Sequence, residues 1–288
     1  MILIPQRLFD DARVRTLLRA GNRAWLHKRL TTPTLDREGY VSNHAVSIVL
    51  AGEQRIRPYE APTLGARAGE VLLLARGMYH ITDLLPADGA FVSVLCYFDD
   101  TDIQTFLSRT AVSQFDRTPP PAHLWLGAQP DVVLFARTLV ELYGRDAPTG
   151  DPLLASKTQE LLYLLARAYG ERPFAHFLFN LTLPRRRRLV DFLEQNYAKP
   201  LRVEDYAYLT GRSLSSFRRD CQAQLGQSPQ SWLLDRRMAL AKQLLHDPER
   251  LVADVAAEVG YTYPGNFVRA FRKRTGMPPT AYQQQINK

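Results

Sequence analysis

The most regular pattern of apolar and polar positions in the chain predicts a pair of short helices near its C-terminal end. Four apolar positions share one face of the first helix: Val252, Val255, Ala256 and Val259. Gly260 follows them where a helix end requires a positive φ, and Pro264 suits the first turn of a second helix. The spacing therefore predicts two helices joined by a tight turn, which cross closely at the small Ala256 side chain.

The second helix of this pair is predicted to be basic on its open face. Its buried side holds Phe267, Ala270 and Phe271, and its open side carries Arg269, Arg272, Lys273 and Arg274. A short helix followed by a cationic one is typical of the helix-turn-helix that enters the major groove of DNA. An ordinary helix hairpin with a solvated basic face has the same spacing, so this pair alone leaves both interpretations open.

An upstream segment repeats the pattern and favours the DNA-binding interpretation. Gly211 lies 49 residues before Gly260, and Phe217 lies 50 residues before Phe267, so one turn is a residue longer than the other. Two copies are too few for a solenoid, which needs about three or more repeats. A helix is predicted to connect the two motifs. It begins at Ser228, its N-cap residue, continues to His246 and buries one side. Its buried positions are Trp232, Met238, Ala241 and Leu245.

These residues give the region from about 185 to 285 a specific resemblance to the DNA-binding domain of the AraC/XylS family of transcription regulators. The matching positions in the second motif are Asp254, Val255, Ala256, Gly260, Tyr261, Phe267, Val268, Arg269, Ala270, Phe271, Gly276, Met277, Pro278, Pro279 and Tyr282. Those in the connecting helix are Arg237, Ala241, Leu244 and Leu245. Pro264 and Gly265 depart from the polar residues that are more usual in the family, so less base reading is expected from the start of this helix.

The positive charge of the chain is concentrated in this same region. The net charge is +8, from 37 Lys and Arg against 29 Asp and Glu. From residue 184 onward there are 18 basic and 10 acidic residues, whereas residues 1–183 hold 19 of each. A basic excess confined to the paired helices is the electrostatic pattern of a protein that binds a polyanion such as double-stranded DNA.

Two groups of side chains are predicted to contact DNA. The candidates for base edges are Ser215, Ser216, Arg218 and Arg219 in the first motif, with Asn266 and Arg269 in the second. The candidates for phosphate contact are Arg272, Lys273 and the hydroxyl of Thr275. Surface charge for each arginine and helix capping for each serine remain alternative interpretations.

The N-terminal part reads as a β-rich domain. Asp10 to Arg29 is predicted to be a helix, and short β-like runs follow from Tyr40 to about Phe98. Such runs with Gly and Pro turns indicate a sandwich or small barrel, and the family resemblance implies a cupin-like jelly roll. The stretch from Gly69 to His80 also resembles the N-terminal domain of the family's subgroup that activates type III secretion genes.

Helical patterns return from Thr101 to Tyr169. The segments 131–143 and 153–169 carry more apolar residues than one surface helix needs. They are expected to cover the barrel, and the resemblance implies that part of this surface forms a homodimer. A loop is predicted at 145–152 and a domain boundary between Gly170 and Pro184. The arginines 185–188 then open the basic segment, and a helix at 188–197 is expected to brace the first motif.

The remote alternative is an enzyme, in which a cupin-type catalytic domain carries an accessory DNA-binding domain. A cupin metal site needs clustered His and carboxylate side chains. His44, His80 and Glu70 are candidates by residue type, but no His-x-His pair exists. An alkyl-transfer repair module needs an activated thiolate, whereas Cys96 lies among apolar residues that raise its pKa. We therefore predict no enzymatic activity, no metal and no cofactor.

The chain is thus predicted to be an α+β protein of two domains. Residues 1–180 form a cupin-like regulatory and dimerisation domain with packed helices, and 184–288 form an all-α domain of two helix-turn-helix motifs joined by a linker helix. Two cysteines cannot form a disulfide framework, and no signal peptide or membrane span is evident, so a reducing cytoplasm is expected.

The function predicted from these features is sequence-specific transcription regulation, as an activator linked to virulence by its subgroup. Two helices would enter successive major-groove segments about 10 bp apart. The expected partners are double-stranded DNA, RNA polymerase and a second copy of the chain. Control by a protein docking on the N-terminal domain is the first hypothesis, and a small-molecule effector is the alternative.

Overall fold

A computed structural model describes the chain in residues 2–58, 62–110, 123–144, 151–183 and 187–286, except for the side chain of Asp151. The chain divides into two compact units, Met1–Leu183 and Pro184–Lys288. Among the described residues, no helix is both long enough and apolar enough to cross a membrane. Most of the loop predicted at 145–152, and the first two arginines of the run at 185–188, lie outside the described residues.

The first unit is built on two β-sheets packed face to face. Within the described ranges its strands are β1 (Ile2–Ile4), β2 (Val14–Ala20), β3 (Arg23–Leu30), β4 (Thr34–Val41), β5 (His44–Ala51), β6 (Glu53–Pro58), β7 (Leu64–Arg67), β8 (Glu70–Leu74), β9 (Gly77–Leu84), β10 (Phe91–Phe98) and β11 (His123–Ala128). One sheet has the order β1-β4-β9-β6-β7 and the other β11-β8-β5-β10-β3-β2. The pairing of β1 with β4 is parallel, and the other described pairings are antiparallel.

The strand β10 shows why the sheets lie where they do. Its alternate residues face different cores, because side chains alternate across a strand. Leu95 belongs to the core between the two sheets, with Ile56 and Tyr79 from the opposite sheet. Val94 and Cys96 belong to a second core on the outer face. Both faces of this strand are therefore buried, and the helices of the unit cover the outer one.

The helices on the outer face are α2 (Asp100–Leu107), α3 (Pro130–Tyr143), α4 (Asp151–Tyr169) and α5 (Glu171–Leu181), whereas Leu8 of the short α1 (Gln6–Phe9) belongs to the core between the sheets. The helix α2 begins with a capping box in which Asp99 and Asp102 each bond the other's backbone N–H. Phe106 of α2 and Phe174 of α5 pack edge to face, with ring centroids 5.9 Å apart. A β-sandwich with helices packed on one sheet confirms the predicted N-terminal half of the α+β fold.

The prediction of a helix from Asp10 to Arg29 is wrong, because the segment forms the hairpin of β2 and β3. Gly21 takes a positive φ of 62° in the two-residue turn between these strands. The register shifts between Thr16 and Leu18, so a bulge interrupts the alternation of β2. Leu17 and Leu18 are consequently both buried, and two adjacent apolar residues imitate a helical pattern. The predicted helical region from 101 to 169 likewise contains a strand, β11.

The second unit is all-helical in its described residues. Its helices are α6 (Leu189–Asn196), α7 (Val203–Leu209), α8 (Leu214–Leu225), α9 (Pro229–Leu244), α10 (Val252–Glu258), α11 (Pro264–Thr275) and α12 (Pro279–Ile286). The long helix α9 begins as predicted, because the Ser228 side chain accepts a bond from the backbone N–H of Ser231 and Pro229 takes the first helical position. Its predicted core residues are buried, so α9 connects the two helix pairs α7–α8 and α10–α11.

Candidate DNA interface

The two helix pairs close their turns with the same backbone bonds. In the first, the N–H of Arg212 donates to the carbonyl oxygen of Ala207 at 2.9 Å, and Gly211 has a φ of 68°. In the second, the N–H of Tyr261 donates to Ala256 at 2.9 Å, and Gly260 has a φ of 88°. Both pairs therefore have the architecture of a helix-turn-helix, and the predicted positive φ of each glycine is confirmed.

Gly260 is required for more than its backbone angle. A Cβ atom at this position would lie 2.6 Å from the carbonyl oxygen of Ala198. That distance is far below van der Waals contact, and the obstacle is backbone that cannot rotate away. The turn of the second motif is thus packed against the loop that follows α6, which fixes α10 and α11 in the unit.

The side chains that hold the two turns differ. In the first motif, Arg212 is almost buried and its guanidinium donates to Asp220 at 2.8 Å and to the carbonyl oxygen of Thr210 at 2.7 Å. In the second, Tyr261 packs against Phe267 with ring centroids 5.6 Å apart. One turn is therefore held by a charged hydrogen-bond network and the other by aromatic packing.

The predicted base-reading residues of the first motif lie together on the open side of α8. Ser215, Arg218 and Arg219 are exposed, and Ser216 is half-buried. Ser213 is the N-cap, and its Oγ accepts from the backbone N–H of Ser216 at 3.2 Å. The Ser216 hydroxyl is 3.0 Å from that of Ser213 and accepts from Arg219 at 3.4 Å. The hydroxyls thus belong to the cap, while both arginines extend into solvent.

The predicted DNA contacts of the second motif also share one face. Asn266, Arg269, Arg272 and Lys273 are exposed on α11, while Phe267 and Phe271 are buried beneath them. A guanidinium nitrogen of Arg269 donates to Asn266 Oδ1 at 2.5 Å. The amide oxygen of Asn266 therefore orients Arg269, and these two candidates form a unit.

The prediction that the hydroxyl of Thr275 contacts phosphate is at odds with the structure. Thr275 is half-buried, and its Oγ1 lies 2.8 Å from the carbonyl oxygen of Phe271 and 3.0 Å from that of Met277. Its hydroxyl hydrogen is used at the C-terminal end of α11, where unpaired carbonyls need donors. Arg274 is likewise engaged, since it forms an ion pair with Asp235 of α9 at 2.7 Å.

Arg237, which the family resemblance singles out, has a structural role. Its guanidinium donates to the carbonyl oxygens of Tyr197 and Lys199 at 2.7 and 2.6 Å. These bonds satisfy backbone groups in the loop after α6 and join that loop to α9. A guanidinium can serve two carbonyls at once because its donors form a fixed fork.

Burial raises the pKa of three neutral side chains beneath this interface. Burial raises the pKa of Tyr206 to about 12 and that of the Cys221 thiol to about 11. It also raises the pKa of Tyr261 above its usual range. Because the charged form of each group is the less favourable one in an apolar setting, the surface charge of the motifs is carried by their arginines and lysines.

The residues considered for a metal site in the first unit lie apart. His44 Nε2 is 3.2 Å from Asp100 Oδ1, and His80 Nδ1 is 3.2 Å from Asp36 Oδ1. Glu70 accepts the backbone N–H of Arg67 at 2.8 Å. Among the described residues, no three His, Cys, Asp or Glu side chains converge on a point that could hold a metal ion.

The thiol considered for alkyl transfer is also unsuited to that role. Cys96 is fully buried in β10, and its Sγ is 3.9 Å from Thr158 Oγ1. Burial raises its pKa far above the usual range, as predicted from its apolar neighbours. A nucleophilic cysteine needs the thiolate form and access to its substrate, and this side chain has neither.

Comparison with known families and proteins gives the same assignment for both units. The family "Helix-turn-helix domain" matches residues 206–285, and the family "ExsA N-terminal regulatory domain" matches residues 44–177. The HTH-type transcriptional regulator ExsA of Pseudomonas aeruginosa is 26% identical over 241 residues, which are 83% of this chain and 85% of ExsA. The virulence regulon transcriptional activator VirF of Yersinia enterocolitica is 28% identical over 222 residues, 74% of this chain and 79% of VirF.

A solved structure of ToxT from Vibrio cholerae covers 93% of this chain and 100% of its own, with 11% identity and a TM-score of 0.43. The two matching families together span both units, and the helix-turn-helix match covers both motifs described above. The relatives that carry this domain combination are transcription regulators of one family. The chain therefore combines a helix-turn-helix domain of the AraC/XylS type with an N-terminal regulatory domain of the ExsA type, and it is a DNA-binding transcription regulator.

Proposed function

We propose that the chain activates transcription by placing α8 and α11 in two successive major-groove segments, about one helical turn of DNA apart. The observation that carries this proposal is the set of open cations on the two recognition helices. Arg218, Arg219 and Arg269 are the base-reading arginines, assisted by the serines of α8 and by Asn266. Arg272 and Lys273 hold phosphate, which fixes the register of the protein on the duplex.

Footprinting on the promoter that adjoins the gene for this chain tests this arrangement. The expected result is two protected segments on one face of the duplex, about 10 bp apart. Arg218→Ala should weaken protection of one segment and Arg269→Ala that of the other. A single protected segment that both substitutions affect equally would contradict a bipartite site.

We propose further that the N-terminal unit self-associates through the exposed side of α3. Leu134 and Leu142 are 66% and 63% exposed and lie two turns apart on this helix. They border a groove of about 330 Å³ between α3 and α4, which Phe135 and Leu164 also line. Large apolar side chains that share one open helix face are characteristic of a protein interface.

The oligomeric state of the intact chain tests this interface. Leu134→Asp combined with Leu142→Asp should convert a dimer into a monomer in analytical ultracentrifugation, because burying two carboxylates in an apolar contact is costly. Leu35→Asp is the matched control, since Leu35 is 67% exposed but lies on β4. A wild-type chain that is monomeric at micromolar concentration would contradict self-association.

We propose control by a protein partner, since the nearly filled interior of the sandwich leaves little room for a metabolite between the sheets. The cavity between the sheets has a volume of about 50 Å³, whereas small-molecule sites usually measure about 300–1,000 Å³. Inside it, Lys28 Nζ lies 2.5 Å from Asp83, and Gln54 donates to Asp83 at 2.8 Å. These polar groups bind one another, and the remaining space suits a few water molecules.

The two kinds of effector give opposite results in one pair of experiments. A protein partner should be recovered with the tagged N-terminal unit from cells and should change DNA binding by the intact chain. A metabolite should instead raise the melting temperature of that unit when added alone. Finding such a metabolite, with no partner protein recovered, would overturn control by a protein. Contact with RNA polymerase, which activation requires, is tested by transcription from the footprinted promoter with purified polymerase.

A further inference from the structure

One large side chain at the start of α11 has no role in the fold of the second motif. Tyr263 is the N-cap residue of this helix and is 69% exposed. Its side chain makes no capping bond, and the cap is formed by its carbonyl oxygen, which accepts the N–H of Asn266 at 3.0 Å. A short polar residue would cap the helix better. The helix therefore does not explain why a tyrosine stands here.

The residues after Tyr263 leave its ring uncovered. Pro264 occupies the first helical position, and Gly265 follows it. A Cβ atom at Gly265 would meet nothing within 4 Å, and its φ is not in the left-handed region. Neither packing nor backbone conformation requires glycine at this position, and glycine weakens a helix relative to alanine. The missing side chain leaves open space in the first turn of the helix, one residue beyond Pro264.

The other candidate contact groups lie farther along the helix. Asn266 orients Arg269 through its amide oxygen, and Arg272 and Lys273 lie about two turns beyond Pro264. Base edges are contacted mainly by the N-terminal residues of a recognition helix. The side chain available there is thus an aromatic ring, whose chemistry suits an apolar group on a base. In the major groove that group is the C5 methyl of thymine.

We propose that Tyr263 is a specificity-determining residue, whose ring packs against a thymine methyl group in the segment read by α11. The absence of a side chain at Gly265 lets the first turn of the helix approach the groove closely, and the cations of α11 hold the helix there. The inference rests on the proposed DNA-binding function and adds an apolar contact to its polar ones. The departure of Pro264 and Gly265 from the family pattern then shifts base reading to Tyr263 and does not abolish it.

The test begins with the intact wild-type chain, which selects duplexes from a random-sequence library. Each thymine of the selected duplex is then replaced in turn by deoxyuridine, which removes only the methyl group. At one position the replacement should weaken wild-type binding about fourfold, the value of one buried methyl group. Tyr263→Ala should weaken binding to the thymine duplex about tenfold, within the range of a good base contact. For that variant the same replacement should have no further effect.

Two variants serve as controls. Leu251→Ala is the matched one, because Leu251 is 66% exposed and is the N-cap residue of α10, the other helix of this motif. It should keep both the affinity and the sensitivity to deoxyuridine. Tyr263→Phe keeps the ring and should also keep the sensitivity. Melting temperatures of all variants should equal that of the wild type, since both side chains are exposed.

The inference is overturned if Tyr263→Ala retains the wild-type sensitivity to deoxyuridine at every position. It is also overturned if this variant weakens binding to all duplexes alike, which would indicate a contact to the sugar-phosphate backbone. If the wild-type chain selects no sequence at all, the proposed function fails and the inference fails with it. A selected sequence with an unchanged Tyr263→Ala profile overturns only the inference.

Discussion

The two helix-turn-helix motifs share a backbone plan but differ in the chemistry of their recognition helices. The first, α8, carries Arg218, Arg219 and Asp220 and begins with a serine cap. The second, α11, carries four cations and no acid, and begins with Tyr263 and Pro264. The net charge is therefore +1 on α8 and +4 on α11. We propose that the first motif discriminates between bases and that the second mainly anchors the protein on phosphate.

The supports beneath these helices differ in a parallel way. The turn before α8 is held by the buried guanidinium of Arg212, and the turn before α11 by the rings of Tyr261 and Phe267. Charged hydrogen bonds have strict geometry, so they fix the direction of α8 closely. Aromatic packing holds α11 by burial and tolerates small shifts. A base-reading helix gains more from a fixed direction than an anchoring helix does.

The largest expected effect is the dependence of DNA affinity on salt concentration. The second unit alone should bind DNA, and with six or more phosphate contacts its affinity should fall about 10³-fold or more between 50 and 200 mM salt. Titrations at several salt concentrations give the slope. Arg272→Ala and Lys273→Ala should each lower that slope by about 0.9, the value of one phosphate contact. Arg218→Ala should leave it nearly unchanged. A flat salt response would contradict the electrostatic anchoring of α11.

The second-largest effect concerns the hydrophobic cores of the two motifs and their contribution to the free energy of unfolding. Phe217→Ala and Phe267→Ala should each destabilise the isolated second unit by about 3–5 kcal/mol, as for other buried aromatic residues. Phe267 packs against Tyr261 and Phe271, with ring centroids 5.6 Å away in each case. The destabilisation by Phe267→Ala should therefore lie at the upper end of this range. Urea unfolding followed by circular dichroism measures both. Leu251→Ala, at an exposed site, should change stability by less than about 0.5 kcal/mol. Equal small losses at both phenylalanines would show that neither core is essential.

The helix pairs could be predicted from the sequence because their signals are local. Gly260 needs a positive φ, Ser228 caps α9, and Pro264 starts α11, and each prediction depends on fewer than about five neighbouring residues. The hairpin of β2 and β3 was missed although a local signal existed. Gly21 and Asn22 form a pair typical of a two-residue hairpin turn, but the bulge near Leu17 obscured the strand pattern before it.

The candidate site was predictable only in part. The exposure of Arg218 and Arg269 follows from helical spacing, which the sequence contains. The capture of the Thr275 hydroxyl by the end of its own helix depends on a side-chain rotamer, which spacing does not indicate. The sequence pattern does not point to Tyr263, because Pro264 and Gly265 give the start of α11 none of the polar side chains that are usual there. The 69% exposure of Tyr263 becomes informative only when the helix that follows this residue is known to be basic and exposed.

The third effect concerns discrimination. Arg218→Ala or Arg219→Ala should relax the preference at one or two base pairs by about 1–3 kcal/mol, the value of a lost bidentate contact. Lys273→Ala should weaken binding to all sequences alike. Competition between selected and mutated duplexes measures the preference separately from the affinity. If Asn266→Ala and Arg269→Ala cost more discrimination than the changes at 218 and 219, the roles of the two motifs are reversed.

The smallest effect concerns the caps, and it separates stability from DNA contact. Ser213→Ala removes the side-chain oxygen that accepts the N–H of Ser216, so it should destabilise the second unit by about 1 kcal/mol. Tyr263→Ser adds such an oxygen at the start of α11 and should stabilise the unit by a similar or smaller amount. Ser213→Thr is the control, since it retains a capping hydroxyl.

Unfolding in urea gives the sign of each change, and binding to the selected duplex gives its functional cost. A variant at 263 that is more stable yet binds DNA less well would show that the uncapped tyrosine is kept for contact with DNA. A variant that gains stability at no cost in binding would remove the strongest difference between the two helix starts. The weaker cap of α11 would then have no functional explanation.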